Sequence, residues 1–179
     1  MKKIISPIML MLFIGFIGCN KSNEAQKAND KQNLAFVDKF IQAMVKGDVA
    51  TMAPMLTNDF KFYGPWRGDS AVKDTFLAHW KKSWDTGFGS MTYKRSVALA
   101  ENSEKGQPVY TWVLEWGDVS FTDKTGLPSA TFGINSCFEI KEGKIKTVYQ
   151  FYNAADVMQQ QGFKFVSPLE QKKENKKTK

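Results

Sequence analysis

Histidine and cysteine are nearly missing from this chain. Its 179 residues include one histidine, His79, and two cysteines, Cys19 and Cys137. Zinc and most transition-metal sites need several His, Cys or carboxylate ligands brought together, and a lone His with a lone Cys forms no recognisable set. No metal and no organic cofactor is therefore expected. His79 lies on the flank of an amphipathic segment next to Trp80 and reads as a surface or capping residue. Also lacking is an apolar run long enough to span a bilayer. The run Ile4–Ile17 is about 14 residues, where roughly 20 are needed. No basic stripe with interleaved aromatics is present either. The net charge of +7 sits at the two ends, since residues 32–167 hold 15 basic and 14 acidic side chains, a net of +1. A nucleic-acid partner is not expected.

The N-terminus instead carries a short address. Lys2 and Lys3 precede the apolar run, and Gly18 and Cys19 follow it. A charged start, a short apolar core, a small residue and then cysteine resemble a bacterial lipoprotein signal, although Phe16 stands where Leu is usual. Residues 1–18 are then a signal peptide and Cys19 the lipidation site, leaving a mature chain of 161 residues (179 minus 18), enough for one domain. The expected location is the bacterial cell envelope, with the membrane as partner through lipid on Cys19. Asn20 points to the outer membrane in a cell that has one. With Cys19 lipidated, Cys137 has no disulfide partner and reads as a small core residue. Residues 19–31 are polar and read as a disordered tether, and 168–179 as a basic disordered tail.

Between these ends the periodicity is that of an α+β domain over 32–167. Leu34, Val37, Ile41, Met44 and Val45 fall at helical spacing, with Gly47 as C-cap. Asp48 caps a second short helix, Val49 to Leu56, which Pro54 bends or shortens. Phe60 to Tyr63 reads as a short strand. Asp69 or Ser70 caps a third helix, with Val72, Phe76, Trp80 and Trp84 on one face. From residue 90 the period changes to two, with Tyr93, Arg95, Val97 and Leu99 on one side of a strand. A turn at Glu104-Lys105-Gly106 leads to a central strand, Val109 to Phe121. Strands Ala130 to Ile140 and Lys144 to Asn153 follow, joined at Glu142-Gly143, and a last helix runs from Ala154 to Gln161.

Three helices followed by long strands, together with several motifs in order, resemble the nuclear transport factor 2-like superfamily and its SnoaL-like group. The motifs are Lys46-Gly47-Asp48, Met55-Leu56-Thr57-Asn58-Asp59-Phe60, Trp66-x-Gly68, Glu142-Gly143-Lys144-Ile145, Tyr149-x-Phe151-Tyr152-Asn153 and Met158-Gln159-Gln160-Gln161-Gly162. The resemblance implies a cone-shaped curved antiparallel sheet with three N-terminal helices packed on its concave side. It implies an apolar pocket inside the cone and, commonly, a homodimer. It admits both enzymes and plain binders.

The expected function is binding of a small apolar or amphipathic molecule in the cone. The alternatives are a cofactor-free isomerase, cyclase or dehydratase of the ketosteroid isomerase or polyketide cyclase type, and an envelope interaction module. An enzyme of this kind needs an acid on an inward strand position. The candidates are Asp118 and Glu115, three apart and so on opposite faces of a regular strand, with Tyr63 or Tyr149 as hydrogen-bond donor. Asp118 would share a face with Trp112, Leu114 and Trp116, and Glu115 with Thr111, Val113 and Val119. Asn153 replaces the Asp usual in the resembling ending. Tyr63, Trp66, Trp80, Trp84, Trp112, Trp116 and Gln150 are the expected ligand-binding residues. An inward carboxylate paired with a tyrosine would favour the enzyme, and an open cone without an acid the binder.

Overall fold

The structure, a computed structural model, describes residues 17–102 and 111–167. The expectations for residues 1–16, the turn at 104–106 and the tail at 168–179 fall outside the described residues. Helix α1 (Ile17–Lys46) is followed by α2 (Val49–Met52) and a 3-10 turn (Ala53–Met55). Then come β1 (Leu56–Tyr63), β2 (Ser70–Val72), α3 (Lys73–Thr86), β3 (Phe88–Asn102), β4 (Thr111–Asp123), β5 (Ala130–Lys141), β6 (Lys144–Tyr152) and α4 (Ala154–Gln160). The six strands form one sheet in the order β2-β1-β6-β5-β4-β3.

Helix α1 corrects the tether expectation, because 19–31 lies in its first half. Polar composition is compatible with a helix, and Glu24, Ala25, Gln26, Lys27 and Ala28 are good helix formers. The second helix is shorter than expected. Pro54 enters the 3-10 turn, and Leu56 already belongs to β1. The third helix starts at Lys73, because Ser70–Val72 pairs antiparallel with Lys61–Tyr63. Val72 is therefore an exposed strand residue and not part of the apolar helical face. All other strand pairs are antiparallel, but β1 runs parallel to β6, with Phe62 beside Val148 and Tyr63 beside Tyr149.

The core lies between the concave side of the sheet and the helices. Val37, Phe40, Ile41 and Met44 of α1 and Phe76 of α3 pack against Phe60, Val113, Phe138 and Val148. Phe40 meets Phe138 edge to face at 6.2 Å between ring centres, a favoured geometry for paired rings. The end of α1 is held by two indoles. Trp80 Nε1 and Trp84 Nε1 both donate to the Met44 carbonyl, at 2.9 and 3.0 Å, one of the carbonyls a helix end leaves without an intrahelical partner. Gly47 allows this. Its φ is +67°, and a Cβ there would lie 2.5 Å from the Trp84 ring.

Strand β3 changes face midway. Arg95 pairs with Gly117 but Val97 pairs with Trp116, so Ser96 is a bulge. Tyr93 and Arg95 consequently share the concave side with Glu115, while Val97 and Leu99 join Trp116 and Leu114 on the convex side. The expected single-face alternation of all four β3 residues is thus split in two.

Candidate functional site

Alternation along β4 places Thr111, Val113, Glu115, Gly117, Val119 and Phe121 inward. Trp112, Leu114, Trp116 and Asp118 point outward. Inside the curl is a cavity of about 240 Å³. A continuous aromatic wall runs around it: Trp80, Phe88, Phe121, Phe132 and Tyr152, each ring within 6.4 Å of the next. Ile41, Met44 and Val45 of α1 form another side, and Val157 of α4 contributes from beyond the sheet. Ser136, Gln150 and the two tyrosines Tyr93 and Tyr152 are its polar members, and among the described residues no ionised side chain lines it.

The sheet register explains where those polar groups fall. Glu115 on β4 sits opposite Ser136 on β5, and Ser136 opposite Gln150 on β6. The three form a polar row across an apolar floor. Glu115 itself is fully buried. Its carboxylate accepts a hydrogen bond from Arg95 Nη2 at 2.5 Å and one from Tyr93 Oη at 3.1 Å. Arg95 Nη2 also donates to Asp38 of α1 at 3.1 Å, so one guanidinium ties the sheet to the helix roof. Gly117 makes this arrangement possible. A Cβ at that position would lie 2.7 Å from the Tyr93 ring and 2.6 Å from the Lys94 carbonyl, so only glycine lets the tyrosine lie flat along β4.

Burial pushes the Glu115 carboxyl above its ordinary value, against the pull of Arg95 and the Tyr93 hydroxyl. Burial and the neighbouring Glu115 charge also push Tyr93 well up. Tyr93 is therefore a neutral donor at physiological pH. Its ring belongs to the cavity wall, and its hydroxyl belongs to Glu115. Glu115 is one hydrogen bond removed from the cavity.

The expected site residues divide accordingly. Trp80 and Gln150 line the cavity. Trp84 lies beside it, its indole committed to Met44 and its ring against Phe88. Trp112 and Trp116 are corrected to the convex face, because Glu115, one residue from each, points inward. Tyr149 is corrected likewise. It stacks on Tyr63 at 4.8 Å and tilts against Trp112 at 6.3 Å, so neither tyrosine can serve as donor inside the cone. Trp66 is exposed in the loop between β1 and β2. Asp118 is outward and exposed, in register with Lys94. The carboxylate on the concave side is Glu115, behind Tyr93 and outside the cavity lining. Tyr93 and Arg95 were absent from the expected site because the bulge at Ser96, which sets their phase, has no signature in spacing alone. Phe88, Phe121, Phe132 and Phe138 were hidden among the many aromatics of an apolar core.

No protein-family profile matches the sequence, and no curated protein matches it. Solved structures do match. An LEH-like epoxide hydrolase from M. tuberculosis superposes with a TM-score of 0.60 at 14% identity, over 74% of this chain and 91% of the other. An NTF2-like protein of unknown function from Burkholderia pseudomallei gives 0.59 at 16%, over 74% and 98%. The fold is NTF2-like. A protein of Catenulispora acidiphila with a ketosteroid isomerase-like fold, solved with trimethylamine, gives 0.58 at 13%, over 74% and 97%. At these identities the likeness is one of backbone. The NTF2-like cone supplies a cavity, and the side chains described above decide what enters it.

Proposed function

We propose that the cone binds a small, neutral, largely apolar molecule. The aromatic cavity of about 240 Å³ carries this reading. Its size suits a compact ligand, below the usual range of roughly 300–1,000 Å³ for drug-sized molecules. An ion would meet no compensating charge there, because Arg95 and Glu115 neutralise each other outside the wall. Gln150 and Ser136 offer a hydrogen bond to one polar atom. Titration with 1-naphthol should change the tryptophan emission, since Trp80 is on the wall. Ile134→Phe, which fills partly open space at the cavity, should weaken that binding at least tenfold. Unchanged affinity in the filled variant would show that the molecule binds elsewhere.

A second reading is proton-transfer catalysis of the isomerase, cyclase or dehydratase type. The inward Glu115, paired with a tyrosine whose ring faces the cavity, favours it, as do the neighbours with epoxide hydrolase and ketosteroid isomerase-like names. The raised carboxyl holds a proton closer to neutral pH than an ordinary glutamate. Tyr93 bridges it to the cavity, and Arg95 holds it in place. Under this reading Glu115→Gln keeps 1-naphthol affinity but abolishes turnover together with its pH dependence. Turnover that survives the substitution would leave only the binder.

We also propose that the domain is anchored to the cell envelope through lipid on Cys19, and that its convex sheet face pairs with a second copy. The N-terminal pattern supports the anchor, because stable attachment needs more than one acyl chain and a modified N-terminal cysteine supplies them. Cys19→Ala should move the protein to the soluble fraction or leave an unprocessed precursor, and normal membrane retention would refute the anchor.

A further inference from the structure

The closing Gln160-Gln161-Gly162 motif has a task in the folded chain. Helix α4 has seven residues and no buried side chain. A helix of that length is not stable alone in water. Its first turn is capped by Asn153, whose side chain accepts from Asp156 N at 3.2 Å. Its last turn is fixed by a side chain. Strand β6 ends at Tyr152, opposite Ile134, so β5 from Ala130 to Gly133 has no strand partner on that edge among the described residues. Gln160 takes the place of the missing strand. Its Oε1 accepts from Thr131 N at 2.8 Å, and its Nε2 donates to Thr131 O, also at 2.8 Å. The same amide nitrogen reaches Asp156 Oδ2 at 2.9 Å, which fixes the side-chain rotamer. The chain then turns away at Gly162, whose φ is +90°.

This pairing decides where Val157 sits. Val157 is one turn before Gln160 on the same side of α4, and it forms part of the cavity wall. Thr131 adjoins Phe132, another wall residue. We propose that Gln160 is the latch of a hinged wall, in which α4 swings about the Asn153 cap and the Gln160–Thr131 pair sets how often the cavity opens. The cavity's role as a ligand site comes from the reading above, but the latch is testable with no ligand at all.

The test uses the full chain with Cys19→Ala and Cys137→Ala, so that one introduced thiol reports. Ser136→Cys places that thiol on the cavity wall, and Met52→Cys places a control thiol on the buried side of α2, outside the cavity lining. Labelling by methyl methanethiosulfonate is timed with and without Gln160→Ala. The latch requires labelling at position 136 to accelerate at least tenfold while labelling at position 52 stays unchanged. An unchanged rate at 136 overturns the proposal, and so does equal acceleration at both positions, which would mean general loosening. Neither outcome bears on whether 1-naphthol binds, so failure of the latch and failure of the ligand site remain distinguishable.

Discussion

Arg95→Met should lower the stability of the domain by about 3 kcal/mol at neutral pH, the cost typical of stranding a buried charge. Glu115 is fully buried, and Arg95 is its charged partner. Without the guanidinium, one tyrosine hydroxyl is the carboxylate's remaining side-chain donor. The exposed pair with Asp38 adds little. The pH dependence carries a definite sign. The carboxyl's folded pKa lies above 4.5, and losing Arg95 raises it further. A group with a raised pKa holds its proton more tightly when folded, so stability rises as the pH falls. The deficit should be full well above the raised pKa and should shrink as the pH drops through it toward 4.5. Urea melts at pH 7.5 and pH 5 measure this, and Glu115→Gln in the same chain should restore most of the loss. A deficit that is equal at both pH values and indifferent to Glu115→Gln would mean that Arg95 acts through packing alone.

Sedimentation should find a dimer that Trp116→Lys combined with Leu99→Lys returns to monomer. The affinity should fall roughly a hundredfold or more, about 2.8 kcal/mol. Two cross-strand rows cover the convex face. One runs Val97, Trp116, Asn135, Phe151, and the other Leu99, Leu114, Cys137, Tyr149, Tyr63. Val97, Leu99, Trp116 and Phe151 remain 40–54% exposed. Under the proposed pairing, these exposed apolar side chains are what the second copy covers. In a two-fold dimer the same face of each copy would meet the other, so each exposed apolar side chain could pack on its counterpart. A lysine in each row would have to lose its water on association without a partner. Wild-type protein that stays monomeric at high concentration would refute the dimer.

The amino-acid order alone settled the helix and strand periods, the turn at Glu142-Gly143, the C-cap at Gly47, the short break at Pro54 and the α+β class. It also determined that Glu115 and Asp118 take opposite faces. These are local properties: a residue's chemistry and its distance along the chain settle them. Which of the two faces is concave depends on where α1 and α3 dock, and that is a tertiary fact. Docking turned Glu115 inward, sent Trp112, Trp116 and Tyr149 outward and gave Trp84 to the Met44 carbonyl. The bulge at Ser96 is likewise invisible to spacing, because it arises from fitting β3 onto a curved β4. Through it, Tyr93 and Arg95 meet Glu115 across about 20 residues of chain. The polar row of Glu115, Ser136 and Gln150 exists only in the register of three strands, since cross-strand neighbours are set by pairing and not by sequence distance.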